Sequence, residues 1–198
     1  MASRSDATRA SLISRAQGRD SQAWSELVDL YGPLIAHWCY RCGLDSGQAA
    51  DVVQDVFVAL SKSLDTYEAG RGGAFRAWLW RVSSNKIRDF LRREKGVISG
   101  QGGSTAMVGL QQLPEEANVP EHEPTDPEQV HALLQRGLKQ VRNEFETRTW
   151  QIFERNVIDQ IATALVAEEY HVTDAAVRQT RSRILRRLRQ QLGDLDAS

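Results

Sequence analysis

The spacing of apolar residues is the feature of this 198-residue chain that most constrains its fold. Between Leu30 and Leu91 apolar residues recur at helical intervals, with little of the alternation that marks a half-buried strand. That spacing puts the apolar side chains on one face of each helix, and such a face must pack against other helices. We therefore predict an all-α protein without a sheet.

Capping and breaking residues divide the first half of the chain into four predicted helices. Asp20 or Ser21 caps the first, and Gly32-Pro33 is expected to end it and to begin a second that runs to about Cys42. Asp45 or Ser46 caps the third, which follows Gly43. Its apolar stripe comprises Ala49, Val52, Val53, Val56, Phe57, Leu60 and Leu64. After a turn at residues 68–73, a fourth helix directs Phe75, Trp78, Leu79, Val82, Ile87, Phe90 and Leu91 inward.

A change of composition separates two helical modules. Residues 96–127 are rich in Gly, Ser, Pro and Glu and have no helical periodicity, so we predict a flexible acidic linker there. Helical periodicity returns at Glu128. The predicted organisation is a helical module at 1–95, the linker at 96–127 and a second helical module at 128–198.

Charge is sorted along the chain, although the net charge is only −1. Residues 71–95 hold eight basic and two acidic groups, and residues 174–192 hold six arginines and one aspartate. Residues 96–128 hold six acids and no Lys or Arg, and residues 45–70 hold five acids and one lysine. This pattern favours two polyanion-binding faces and acidic surfaces that meet something basic, with ordinary solvated faces as the alternative.

Residues 161–192 have the form of a helix-turn-helix, with a short alanine-rich helix, a turn and an arginine-rich helix capped by Thr173. Four side chains of the second helix are expected to face base edges: Arg178, Gln179, Ser182 and Arg183. Arg186, Arg187 and Arg189 are better placed for phosphates. An arginine-rich surface helix without a DNA partner is the alternative.

The fourth helix combines basic residues with tryptophans, a combination typical of proteins that bind single-stranded nucleic acid. Trp78 and Trp80 cannot both face one core, because residues two apart on a helix diverge by about 200°. Core packing is favoured for Trp78. For Trp80, core packing and an edge position both stay open.

The stretches DVVQDVF at 51–57 and FRAWLWRVSSN at 75–85, followed by a linker and a terminal helix-turn-helix, resemble an extracytoplasmic-function (ECF) sigma factor of bacterial RNA polymerase. By that resemblance the clamp helices of the polymerase largest subunit contact Asp51, Gln54, Asp55 and Phe57. The minus-ten promoter element contacts Arg76, Trp80, Arg81, Asn85, Lys86, Arg88 and Arg92, with Asn85 near a flipped base. The minus-thirty-five element contacts Thr173, Arg178, Gln179, Ser182, Arg183, Arg186 and Arg187. Tyr170 and His171 stand in the turn where the family commonly has Leu-Gly.

The resemblance implies a protein without catalytic residues or a cofactor, whose partners are promoter DNA and the clamp helices and flap of core RNA polymerase. An anti-sigma partner stays open. Cys39 and Cys42 form a Cys-x-x-Cys, which we interpret as reduced structural thiols rather than a zinc or redox site. No signal peptide or membrane span is evident, so we expect a cytoplasmic, nucleoid-associated protein without membrane insertion. The rival hypotheses are a helix-turn-helix regulator that acts without replacing the sigma subunit, and a protein-interaction module that lost promoter activity.

Overall fold

The computed structural model describes residues 11–68, 75–100, 119–124 and 126–193, with side chains of 95–100 left aside. Most of the predicted linker and of the turn at 68–73, together with Arg71 and Lys95, therefore lie outside the description. Eight α-helices run through the described ranges: α1 (Leu12–Gln17), α2 (Ser21–Arg41), α3 (Ser46–Ser63), α4 (Phe75–Gly100), α5 (Pro127–Arg142), α6 (Thr147–Phe153), α7 (Thr163–Glu169) and α8 (Asp174–Gln191). A 3-10 turn follows α3, and a π turn follows α6. These ranges contain no strand, which confirms the all-α prediction.

Helix α2 is continuous through Pro33, so the predicted break at Gly32-Pro33 is wrong. Proline removes the amide that would bond to the carbonyl of Asp29, and in a helix interior this costs about 3 kcal/mol. Here both Pro33 and Asp29 are exposed, so that side of the helix can be hydrated. The opposite face is buried at Leu30, Leu34 and Trp38, and this burial holds the helix together across the proline.

The boundaries of α3 agree with the sequence-based expectation. The Asp45 carboxylate accepts a hydrogen bond from the Gln48 amide at 2.9 Å, and the Gln48 side chain accepts one from the Asp45 amide at 3.0 Å. This reciprocal pair satisfies backbone donors at the start of the helix. Gly43, in the preceding turn, has a φ of 84°, which explains why glycine stands there.

The first module is a bundle of α1 to α4 around a core of large side chains. Tyr31, Trp38, Phe75, Leu60, Leu79 and Ile87 are all fully buried. The rings of Tyr31 and Phe75 meet edge to face at 5.2 Å, and those of Trp38 and Trp80 at 5.3 Å. Helix α1 was not among the predicted helices, yet its Leu12, Ile13 and Ala16 join this core.

The second module packs α5 to α8 around two smaller clusters. Ile152, Val166, Ala167 and Val177 form one, and Trp150, Phe153 and Ile184 form the other. Gly137 on α5 is what allows α5 and α8 to approach closely. A Cβ built at that position would lie 2.9 Å from Leu192 Cδ2 and 3.0 Å from Leu188 Cδ1, tighter than van der Waals contact allows.

The two modules share one continuous core rather than standing apart. Helix α5 lies against α2, the end of α8 lies against α1, and Leu133, Leu188 and Leu192 belong to the same cluster as the first module. Three hydrogen bonds to backbone carbonyls cross the junction: Tyr31 Oη to Leu192 at 2.8 Å, Arg136 Nε to Leu30 at 3.1 Å and Gln140 Nε2 to Glu26 at 3.0 Å. Gln191 Nε2 also donates to the Glu26 carboxylate at 3.1 Å.

Desolvation at this junction raises the pKa of the fully buried Tyr31 hydroxyl, which therefore stays protonated as a hydrogen-bond donor.

None of the described helices has the length and apolar character needed to cross a membrane.

Tyr31→Phe removes the buried donor and leaves the Leu192 carbonyl unsatisfied. We expect the free energy of unfolding to fall by about 1–2 kcal/mol. Urea denaturation should show a lower midpoint with an unchanged slope. Tyr40→Phe, at an exposed position of the same helix, is the matched control, and equal midpoints for the two variants would contradict this account of the junction.

Candidate nucleic-acid interface

The helix-turn-helix predicted near the C-terminus is present as α7, a tight turn and α8. Thr173 Oγ1 accepts a hydrogen bond from the Ala176 amide at 3.2 Å, so Thr173 caps α8 as predicted. His171, in the turn, has a φ of 51°. The turn thus adopts the left-handed geometry for which glycine is common, and histidine accepts it at some cost in strain.

The outer face of α8 carries the side chains predicted to read base edges. Arg178, Gln179, Ser182, Arg183 and Arg186 are all exposed and line one shallow cavity of about 650 Å³. Arg178 lies 3.9 Å from Asp174, a solvent-exposed pair that constrains the guanidinium little.

Phe145 supports one of these arginines from below. The guanidinium of Arg183 lies over the Phe145 ring at 5.6 Å from its centroid, and Phe145 packs in turn on the core cluster of Trp150, Phe153 and Ile184. A cation–π contact of this kind limits the rotamers of an exposed arginine and so orients its donors.

Arg187 does not belong to this face, and its predicted contact with phosphate is wrong. It is buried, and its Nε and Nη2 donate to the two oxygens of Glu144, each at 2.7 Å. This bidentate pair joins α8 to the turn that follows α5. Arg187 has the same residue type as its neighbour Arg186, and only the packing of the helix separates their roles.

Apart from Arg76, the predicted minus-ten residues on α4 fall into two groups. Arg81, Asn85 and Arg88 line one groove together with Ala77, Trp80 and Ser84. Lys86 and Arg92 line a different cavity on the flank of α4, beside Asp55, Asp89 and Arg93. Arg92 is paired with Asp89 within the same helix. The structure therefore brings Arg81, Asn85 and Arg88 together and sets Lys86 and Arg92 apart from them.

Trp80 is a core residue, which resolves the alternative left open by the sequence. Only 4% of it is exposed, and its ring meets Trp38 edge to face. Its predicted role as a surface for base stacking does not fit this burial, since a stacking ring must present a free face. Trp78 is half-buried between Tyr67 and Phe75, with ring centroids 5.3 and 5.6 Å away.

An acidic segment from the predicted linker lies on the α4 groove, and residue patterns alone did not reveal this contact. Glu121, His122 and Glu123 line the same cavity as Arg81 and Asn85. Glu123 also pairs with Arg76, with Oε1 2.7 Å from Nε. The sequence did carry a sign of this contact, because residues 96–128 hold six acids and no Lys or Arg and directly follow the basic fourth helix.

A third surface combines α3 with the neighbouring side of α2. Its apolar floor includes Val28 and Val58, which are 42% and 53% exposed. The residues that line the shallow cavity are Val28, Ala50, Asp51, Val53, Gln54, Phe57, Val58 and Ser61. Asp51, Gln54 and Phe57 were predicted at an interface, whereas Val28 and Val58 were missed. The sequence could have indicated Val28 and Val58, because both are large aliphatic residues at helical positions that face solvent.

Asp55 lies beside this surface rather than on it. Its carboxylate accepts a hydrogen bond from Arg93 Nη2 of α4 at 3.1 Å, and both side chains are about half exposed. Asp55 still lines a neighbouring cavity together with Asp51 and Gln54, so the predicted interface residues stay close together, and Asp55 differs from Asp51 in having an ion-pair partner within the chain.

The Cys-x-x-Cys lies in the interior of the first module. Cys39 and Cys42 are free and buried, and burial raises the pKa of their thiols to about 12 and about 11. Such thiols stay protonated near neutral pH and are poor nucleophiles and metal ligands. Among the described residues no group of three or more His, Cys, Asp or Glu side chains could hold a metal ion.

Comparison with known proteins relates the chain to transcription factors. Residues 27–97 match the model of the family described as sigma-70 region 2. The ECF RNA polymerase sigma factor SigW of Bacillus subtilis is 24% identical over 186 residues, covering 92% of this chain and 96% of that protein.

The RNA polymerase sigma factor CnrH of Cupriavidus metallidurans is 37% identical over 81 residues, which is 41% of each chain. A solved structure of CnrH in complex with the cytosolic domain of CnrY is 21% identical, covers 89% of this chain and 92% of that one, and superposes with a TM-score of 0.36.

The matched region spans α2 to α4, which carry the groove and the apolar surface described above, and the similarity to SigW extends over nearly the whole chain. Residues 27–97 thus match a sigma-70 region 2, and the similarity to extracytoplasmic-function sigma factors along nearly the whole chain supports the resemblance seen in the sequence.

Proposed function

We propose that this protein is a sigma factor that starts promoter-specific transcription through three surfaces: the α8 outer face on duplex DNA, the α4 groove on a melted strand, and the α3 surface on core polymerase. The observation that carries the proposal is that one chain carries two arginine-lined surfaces of different character. The α8 face is an open, shallow surface, whereas the α4 groove sets an amide among guanidinium groups. The expected modules at 1–95 and 128–198 each supply one of these faces.

The α4 groove suits a single strand whose bases have left the stack. Asn85 is exposed and offers both a donor and an acceptor, which a base released from its partner requires. Arg81 and Arg88 flank it at intervals of four and three residues, on the same side of the helix, where they can follow phosphates. Binding to the open strand lowers the cost of duplex melting without covalent chemistry, so we assign no catalytic residue and no cofactor.

The α8 face suits an intact major groove. Arg178, Gln179, Ser182 and Arg183 lie on the first three turns of a capped helix, where the recognition helix of a helix-turn-helix meets base edges. Arginine pairs bidentately with guanine and glutamine with adenine. Arg186, one turn further along, is placed for a phosphate.

The α3 surface suits a protein partner, because it is apolar at its floor and carries Asp51 at its rim. We assign this surface to contact with the clamp helices of the polymerase largest subunit, and we assign contact with the polymerase flap to the second module. An anti-sigma partner would have to cover the same surfaces.

The closed packing of the modules must open for this function. Elements centred ten and thirty-five base pairs upstream are separated by about 85 Å of B-DNA. A compact chain of this length is only about 40 Å across. The junction between α2, α5 and the end of α8 therefore has to separate when both elements are bound.

A regulator that acts without replacing the sigma subunit would use α8 alone. It would leave the α4 groove and the α3 surface without a role, and the similarity to a sigma factor extends along both modules.

A protein that works on promoters acts at the nucleoid, in the bacterial cytoplasm.

Core polymerase with this protein should yield run-off transcripts with defined start sites from a promoter library. Arg88→Ala should lower the yield at least tenfold by weakening capture of the melted strand, while duplex binding by the holoenzyme is retained. Lys86→Ala, on the other flank of α4, is the control. Random start sites, or tight duplex binding by the protein without polymerase, would contradict the proposal.

Asp51→Arg reverses a charge at the rim of the α3 surface. We expect its affinity for core polymerase to fall at least tenfold, with the melting temperature unchanged, because Asp51 is exposed. Asp65→Arg makes the same change at an exposed position just beyond α3 and should bind normally. Competition binding with a labelled sigma factor measures both, and equal affinities would rule out this surface.

Arg186→Ala and Arg187→Ala should separate DNA binding from stability. Arg187→Ala leaves Glu144 without its bidentate partner and should lower the free energy of unfolding by about 3 kcal/mol. Arg186→Ala should leave stability unchanged and reduce the salt dependence of promoter binding by about one phosphate contact. Denaturation and filter binding over a salt series test this division, and similar behaviour of the two variants would argue against it.

A further inference from the structure

The segment Val119–Pro124, here called the acidic strap, is anchored to the first module at both ends of its course over α4. Val119 is 6% exposed and belongs to the core cluster of that module. Glu123 pairs with Arg76, with distances of 2.7 Å from Oε1 and 2.9 Å from Oε2 to the same Nε. Only 19% of the arginine side chain and 13% of the glutamate side chain are exposed, so solvent screens this pair weakly.

Between these anchors the strap lies along the groove assigned to the melted strand. Glu121, His122 and Glu123 line a cavity of about 290 Å³ together with Arg81, Asn85 and Arg88. The carboxylates of the strap thus lie by the guanidinium groups that a phosphate backbone would approach. Carboxylate and phosphate are the two anions that arginine binds with similar geometry.

The downstream end of the strap is tied to the second module. Asp126 caps α5 by accepting a hydrogen bond from the Glu128 amide at 3.0 Å, and its carboxylate lies 3.5 Å from His37 Nε2 on α2. Helix α5 is in turn bound to α2 through Arg136 and the Leu30 carbonyl. When the modules separate, α5 leaves α2 and draws the end of the strap away from α4.

We propose that the acidic strap is an intramolecular partner of the α4 groove and competes there with single-stranded DNA. The inference rests on the proposed role of that groove. The strap holds the groove while the modules are closed, and a tether of this length gives it an effective concentration of about millimolar. Opening of the modules on polymerase then exposes the groove, so strand capture is coupled to assembly of the holoenzyme.

Glu123→Gln removes the anionic partner of Arg76 with little change of shape. We expect the free full-length variant to bind a fluorescein-labelled 12-nucleotide DNA strand of random sequence about five-fold tighter than the unaltered protein, at low salt. Glu128→Gln, at an exposed position just beyond the strap, removes one charge without touching the groove and should leave the affinity unchanged. Fluorescence anisotropy measures all three proteins.

A reversible cross-link tests the contact without depending on Glu123. Ala77→Cys and His122→Cys place thiols on the two walls of the same cavity, while Cys39 and Cys42 are buried and stay protonated. We expect a reagent that carries two maleimides on a cleavable disulfide spacer to link the two thiols in the free double variant and to lower strand affinity at least tenfold, with recovery in dithiothreitol.

The outcomes separate failure of the strap proposal from failure of the proposed role of the α4 groove. If the cross-link does not form, or forms without changing strand affinity, or if Glu123→Gln binds as the unaltered protein does, competition by the strap is overturned. If Arg88→Ala leaves strand capture by the holoenzyme unchanged, the assignment of the groove itself fails. Cross-link yield reports the strap contact independently of that assignment.

Discussion

The packing of the C-terminal end of α8 into the first module is the interaction on which the rest of the structure depends. Leu188 and Leu192 enter the same core as Leu30 and Tyr31, and the Tyr31 hydroxyl donates to the Leu192 carbonyl from a fully buried position. Burial of apolar side chains drives this contact. The hydrogen bond fixes how α8 is positioned in it, because a buried carbonyl without a partner is costly. The end of α8 is thereby fixed to a helix about 160 residues away in sequence.

This junction determines what each charged surface meets. Helix α5 is held on α2, and the acidic strap that precedes α5 in the sequence lies on the basic groove of α4. The outer face of α8 points away from the junction and stays open, because its buried side carries Ile184, Arg187 and Leu188. Of the two faces that we propose for DNA, the α8 face is therefore free in the closed state and the α4 groove is occupied, although the two are similar in composition.

Local signals predicted those parts of the structure that local interactions decide. The capping box at Asp45, the Thr173 cap and the stop at Gly43 involve groups within a few residues of one another, so the pattern of residues suffices. The helix break predicted at Pro33 was wrong because α2 buries apolar side chains on both sides of the proline, and this burial outweighs the local cost of the proline. Arg187 and Trp80 were assigned to DNA from their position on the predicted helices and from the family resemblance, and their partners, Glu144 and Trp38, are 43 and 42 positions away.

The sequence by itself determined that this chain is helical, that it carries two arginine-rich helices of different surroundings, and that it resembles ECF sigma factors, because periodicity, caps and motif spacing are properties of neighbouring residues. Only the tertiary structure decided which arginines face outward, which tryptophan is buried, and that the acidic strap lies against α4. Those outcomes depend on how helices rotate and pack, since burial and pairing are set by partners that no local pattern identifies.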